Sequence, residues 1–200
     1  DIAAGEYVTE LQVINVEGVV VGTLLLNINV NERSLPEVAE QRFHLDVWQQ
    51  PYSVSRYHGV ERWSDEHLEA LRPYLKALGR AGQSTVSAIL FYEPWGAQTH
   101  VPDRFEPMVE TIKGKDGKWR FDYTIFDKYV ELCAECGITK QINCFSMVPW
   151  DMNFRYYDEA SGKYKYIRTR TSSIQYYHLW YSFLSSFREH LQQRGWFDKT

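Results

Sequence analysis

Ala88-Ile89-Leu90-Phe91-Tyr92-Glu93-Pro94-Trp95 is an apolar run that stops in aromatics, an acid and a proline. The same grammar recurs upstream, in Phe43-His44-Leu45-Asp46-Val47-Trp48-Gln49-Gln50-Pro51, and downstream, in Ile142-Asn143-Cys144-Phe145-Ser146-Met147-Val148-Pro149-Trp150. Each run is followed, after a loop, by a segment with helical periodicity. Buried parallel strands read as near-continuous apolar runs, and a βα repeat puts every strand's C-terminal end on one side of the sheet. The expectation is an α/β fold in which Trp48, Gln50, Tyr92, Glu93, Asn143 and Trp150 gather on one rim. Aromatic faces beside amides and carboxylates suit a sugar, which offers C–H faces to stack and hydroxyls to bind. On this reading the chain is the first part of a carbohydrate-active barrel.

Working outward, Ser64 and Asp65 cap a helix whose Leu68, Leu71, Leu75 and Leu78 fall at helical spacing. Pro73 is expected to kink it or remove one hydrogen bond, and Gly79 or Gly82 to end it. A loop is expected over residues 52–63. Hairpins are expected around Gly114-Lys115-Asp116-Gly117 and Ala160-Ser161-Gly162. A helix with Phe126, Tyr129, Val130 and Cys133 inward ends at Gly137, and a last helix over 173–194 carries a stripe of Tyr176, Tyr177, Trp180, Leu184, Phe187 and Leu191. Before the repeat, residues 7–16 and 22–30 alternate as strands about a Glu17-Gly18 turn. Two strands alone are marginal in water. Residues 1–36 therefore read as the last hairpin of a β-sandwich domain plus a linker. Residues 37–200 read as the first three βα units, and the start of the fourth strand, of a TIM-type barrel. A closed (β/α)8 barrel needs about 250 residues, so a piece of a longer protein is the expectation.

Apolar residues make up 44% of the 200 and aromatics 16%, enough for a packed core. A net charge of −4 disfavours a nucleic-acid surface, which wants a basic patch. The one basic cluster, Lys163, Lys165, Arg168 and Arg170, alternates with Tyr164, Tyr166 and Ile167, as the solvent face of a hairpin would. Three cysteines give no disulfide framework, and Cys133-x-x-Cys136 lies late in a helix with no second pair, as packing thiols would. No run of 18 apolar residues predicts a membrane span. The absence of a Gly-rich phosphate loop, of H-x-x-x-H and of G-x-S-x-G removes the nucleotide, zinc-hydrolase and serine-hydrolase readings. No cofactor or metal is expected.

Glu93, at a strand's C-terminal end between Tyr92 and Pro94-Trp95, is a candidate general acid or acceptor for a sugar hydroxyl; the alternative is a loop salt bridge. Asp46 lies two residues before Trp48 and shares its face, so if inward it needs a partner. His44 reads as a satisfied core histidine. Trp48 and Trp150 are sugar platforms or rim packing, and Asn143 binds a ligand or its neighbours. Asp151 and Asp158 read as solvated.

The hairpin Gly5, Tyr7, Leu11 and Val13, the Leu35-Pro36 pair, the strand Leu45-Asp46-Val47-Trp48-Gln49-Gln50-Pro51 and the Phe121 to Ile138 segment follow one another in a known order. In this the chain resembles the glycoside hydrolases of family 123, β-N-acetylgalactosaminidases, and the wider group sharing their catalytic domain. The resemblance implies a β-sandwich followed by a (β/α)8 barrel, export to the periplasm or cell surface, and a glycan substrate. It also implies substrate-assisted hydrolysis: the substrate's 2-acetamido oxygen attacks the anomeric carbon, an Asp orients it, and an adjacent Glu protonates the leaving oxygen. Such enzymes are exceptions to the two-carboxylate scheme. In the family that Asp-Glu pair ends the fourth barrel strand. Asp65-Glu66 and Asp158-Glu159 do not match that setting, so the resemblance places the pair beyond residue 200. Asp46, Trp48, Gln50, Tyr92, Glu93, Asn143 and Trp150 are then substrate contacts. The remaining alternatives are a two-carboxylate glycosidase using Glu93 and a noncatalytic carbohydrate-binding protein.

Overall fold

The computed structural model describes residues 2–96, 98 and 103–200. They fall into two units, divided between Gln41 and Arg42. The first is an antiparallel hairpin of β1 (Gly5–Ile14) and β2 (Val20–Val30). Asn15 makes its turn, with Oδ1 accepting from the amides of Glu17 and Val19, and Gly18 takes the left-handed φ of 82° that the turn requires. Leu24, Leu26 and Ile28 are all exposed in this unit. A 3-10 turn, Val38–Glu40, follows.

The second unit is a mixed α/β body. Its parallel sheet pairs β3 (Thr85–Ile89) with β6 (Gln141–Phe145) in register from Thr85↔Gln141 to Ile89↔Phe145. The expected first strand, at 43–48, is reduced to one parallel bridge from Leu45 to Gln83. Two side-chain amides stand where ladder bonds would run. Gln83 Oε1 accepts from the Val47 amide at 2.8 Å and Gln49 Oε1 from the Ser87 amide at 2.7 Å. Gln83 Nε2 donates to the Thr85 carbonyl at 2.6 Å. Backbone groups are thereby satisfied without regular strand geometry.

Where the sequence predicts a loop over 52–63, the chain forms α1 (Pro51–His58). Gln50 caps it by accepting from the Tyr52 amide, Pro51 sits at its first turn, and Gly59 closes it at φ 65°. The helix is short and lacks a long apolar stripe, so periodicity does not reveal it. α2 (Asp65–Arg80) starts at the Ser64 cap and runs through Pro73 without a break. Gly79 is inside it rather than at its end, because a Cβ there would lie 2.1 Å from the Cys136 carbonyl oxygen. The left-handed glycine just past the helix is Gly82, at φ 97°.

β4 (Glu110–Lys113) and β5 (Trp119–Asp122) form one predicted hairpin, and β7 (Asn153–Asp158) and β8 (Lys163–Arg168) the other. The structure joins them into a single sheet, ordered β5-β4-β7-β8, through parallel pairing of β4 with β7. α3 (Thr124–Glu135) and α4 (Ile174–Arg194) complete the unit. The buried arc of α4 is Leu179, Trp180, Phe183, Phe187 and Leu191. Tyr177 and Leu184, expected in that stripe, are 57% and 44% exposed. Phe91 explains the rotation: it packs on Phe154, Trp180 and Phe183 with ring centroids 5.0–5.3 Å apart, and draws that arc inward.

Three more expectations change. His44 is exposed, not a core histidine. Asp158 is buried, accepting from Ser161 and Lys165, not solvated. Residues Phe197–Lys199 form a 3-10 turn where a fourth strand was expected to begin. Cys133 and Cys136 are buried free thiols in the core, and burial pushes both thiols up in pKa. No helix among the described residues is long and apolar enough to cross a membrane.

Candidate functional site

The C-terminal ends of the parallel segments lie together, as the repeat requires. Because side chains alternate along a strand, Ser87 and Ile89 share one face with Asn143 and Phe145. Val86 and Ile142 point the other way into the helix-covered core. The first face is polar at its base. Asn143 Nδ2 donates to Asp46 Oδ2 at 3.0 Å, and Gln141 Nε2 donates to Asn143 Oδ1 at 2.6 Å. Asp46 Oδ1 and Ser87 Oγ are buried with no hydrogen-bond partner among the described residues. Asp46 thus has the partner that an inward carboxylate needs, and one oxygen to spare.

Above this base the face turns aromatic. Trp48 stacks on Trp95 and tilts onto Phe145, at centroid separations of 5.4 and 5.2 Å. Trp95 in turn meets Phe105 edge-on at 4.7 Å. Trp48 stays 61% exposed, so its ring is held by neighbours yet open to a ligand. Trp95, Phe105 and Phe145 were not among the predicted site residues. The Glu93-Pro94-Trp95 run was the available signal for Trp95; Phe105 arrives from a loop with no periodicity.

Beside the aromatic group a cavity of about 390 Å3 is lined by Tyr92, Glu93, Arg104, Asp151, Asn153 and Arg168, with Tyr166 at its side. Glu93 sits at a left-handed φ of 46°, uncommon for a residue with a side chain. Such backbone persists only where surroundings impose it. Here the Phe105 amide donates to Glu93 Oε1 at 2.6 Å and the Glu93 amide donates to the Phe105 carbonyl at 2.9 Å. Tyr92 lies under the Arg155 guanidinium, 4.1 Å from its ring centroid. Arg104 hydrogen-bonds Tyr92, which holds the guanidinium above its ordinary pKa. The Nε of Arg104 and the Oδ1 of Asn153 are buried without a partner among the described residues. Burial without a partner is costly for such atoms, so a polar ligand would gain by meeting them.

The loop that positions Glu93 is itself clamped by α1. Arg56 donates to Asp103 Oδ1 at 2.7 Å and Ser53 to Asp103 Oδ2 at 3.2 Å. Gln50 Nε2 donates to the Asp103 carbonyl at 2.8 Å. Gln50, predicted on the rim, therefore has both ends of its amide engaged by the protein. Trp150 is 64% exposed; its amide donates to the Pro94 carbonyl at 2.9 Å, which brings its loop against the Glu93 turn. No group of His, Cys, Asp and Glu among the described residues has the geometry of a metal site.

Residues 48–200 match the family model described as glycoside hydrolase 123, catalytic domain. Among solved structures, the chain is similar to a family 123 glycoside hydrolase from Clostridium perfringens, whose structural analysis addressed glycolipid glycan hydrolysis. The TM-score is 0.87 at 30% identity, over 98% of this chain and 35% of that one. This chain thus spans about a third of the length of that structure. A comparison with curated proteins found no match.

Proposed function

The chain belongs to glycoside hydrolase family 123, and from that premise we propose that it forms the sugar-binding part of an exported enzyme hydrolysing β-linked N-acetylhexosamine glycans. The observation that carries this reading is the rim itself. An open indole, Trp48, stands on a two-ring support next to a polar cavity holding Tyr92, Glu93 and two buried unpartnered polar atoms. A pyranose needs that combination: a flat apolar platform for its C–H face and convergent donors and acceptors for its hydroxyls. In this proposal the parallel segments are the opening strands of a (β/α)8 barrel, and the exposed β1–β2 hairpin is the edge of a β-sandwich.

The chemistry proposed is substrate-assisted. The substrate's 2-acetamido oxygen attacks the anomeric carbon as the glycosidic oxygen leaves, and a Glu and an orienting Asp from the segment after residue 200 protonate the leaving group and hold the acetamide. Asp46, Trp48, Tyr92, Glu93, Asn143 and Trp150 bind the glycan in this reading. Glu93 suits that role because the Phe105 amide engages one of its oxygens as an acceptor. The test is steady-state hydrolysis by the intact protein of an aryl β-N-acetylgalactosaminide and of its N-trifluoroacetyl analogue. Fluorines withdraw electrons from the attacking oxygen, so kcat should fall by orders of magnitude across the pair. Equal rates, or no turnover of either, would overturn the proposal.

A further inference from the structure

A second cavity, of about 400 Å3, lies between the β5-β4-β7-β8 sheet and the N-terminal half of α4. Trp119 and Tyr156 form its wall, with rings edge-on at 5.2 Å, and Lys113 Nζ stands 5.6 Å above the Trp119 ring. Arg168 and His178 face the same space, and no Asp or Glu among the described residues lines it. This is unusual on a chain whose net charge is −4.

Three other cations of the same sheet are already paired. Arg120 pairs with Glu159, Arg155 with Glu106, and Lys165 with Asp158. Lys113 and Arg168, the two that line the cavity, enter no ion pair among the described residues. Gln175, in the first turn of the 21-residue α4, adds the positive end of a helix dipole to the same wall. Two unpaired cations, a helix N-terminus and an aromatic wall without a carboxylate select a ligand that is both anionic and ring-shaped.

Tyr166 and Arg168 line this cavity and the one beside Glu93 alike. They sit on β8, the edge strand, and so connect the two spaces around the sheet's margin. We propose that the second cavity is a distal subsite for an anionic sugar unit, carboxylated or sulfated, of the glycan whose neutral unit occupies the Trp48 rim. This inference rests on the glycosidase reading above and narrows its substrate class to acidic glycans.

The test is binding of three probes to the intact protein by titration calorimetry at low and high salt: a chondroitin sulfate tetrasaccharide, its desulfated form, which keeps the carboxylates, and a neutral N-acetylhexosamine tetrasaccharide. The sulfated probe, which carries both anionic groups, should bind about tenfold or more tighter than the neutral one, the scale of one charge-assisted contact, with the advantage shrinking at high salt. An advantage that survives desulfation assigns the contact to carboxylate, and one lost on desulfation assigns it to sulfate. Lys113→Gln should remove most of that advantage and Lys113→Arg should keep it, while both turn over the aryl N-acetylgalactosaminide at the wild-type rate. Equal affinity for all three probes, or an advantage untouched by Lys113→Gln, overturns the subsite and leaves the glycosidase reading standing. A charge preference without aryl glycoside turnover overturns the glycosidase reading and with it the assignment as a substrate subsite.

Discussion

Trp48 and Trp95 lie 5.4 Å apart with their planes 21° from parallel. One ring comes from the end of the first parallel segment and the other from the turn after β3, so the stack ties two segment ends together. Offset stacking of this kind contributes about 0.5–1.5 kcal/mol beyond area burial. Because Trp48 remains 61% exposed, its outer face is free for a ligand. Trp48→Ala should therefore lower folding stability by no more than about 1.5 kcal/mol. It should weaken glycan binding by about 1–3 kcal/mol, the scale of one lost stacking aromatic. Paired measurements of urea unfolding and glycan affinity check this; unchanged affinity would remove Trp48 from the site.

Glu93 is tied to Phe105 by two hydrogen bonds and faces the cavity beside Tyr92. Glu93→Gln keeps an acceptor for the Phe105 amide, so the turn should survive. Steady-state kinetics of the full-length variant should show a raised KM with kcat within about tenfold of wild type. A collapse of about 10⁴-fold in kcat, rescued by a small external acid, would make Glu93 the catalytic acid instead.

His67 is fully buried in α2, its Nδ1 accepting from the Trp63 amide and its Nε2–H donating to the Pro51 carbonyl, each at 2.9 Å. Burial holds its pKa below the ordinary histidine value of 6.5. The unfolded chain then takes up the proton first, so the stabilisation is complete above 6.5 and is lost as pH falls through the lower folded value. Urea midpoints measured between about pH 8 and pH 5 should fall on the acid side. His67→Gln should flatten that acid limb; an equally steep limb in the variant would assign it to other groups.

Gly79 is the close-approach point of α2 against the C-terminal end of α3. A Cβ there would sit 2.1 Å from the Cys136 carbonyl oxygen, which is backbone and cannot swing aside. Gly79→Ala gains about 1 kcal/mol of helix propensity, but overpacking a fixed contact costs about 1–3 kcal/mol or more. The clash should win, lowering the thermal midpoint of the variant. A stabilised variant would mean that α2 and α3 can move apart without cost.

The positions of α2, α3 and α4 and of the two paired parallel strands were legible because burial imposes periodicity. Leu71 and Leu75, Phe126 and Tyr129, and the runs at 85–89 and 141–145 all carry the pattern of the face they bury. Ser64 and Ser173 marked helix starts because their hydroxyls accept the first free amides. The Asp46–Asn143 pair was half legible: alternation put Asp46 on the face of Trp48, and a carboxylate turned inward there would need a partner.

The remainder depends on contacts between residues far apart in sequence, which no local pattern encodes. Gln49 and Gln83 look like ordinary polar residues, yet their amides replace a strand ladder. The two hairpins look independent until Ile112 pairs with Tyr157. Phe105 belongs to no periodic segment, and the hold of Arg56, Ser53 and Gln50 on Asp103 helps bring it to Trp95 and Glu93. By itself the sequence determined the buried faces of α2 and α3 and where the parallel segments end, since hydrophobic burial acts at fixed local spacing. The tertiary structure decided which of the rim residues meet, because hydrogen bonds and ring contacts across loops depend on where the chain returns in space.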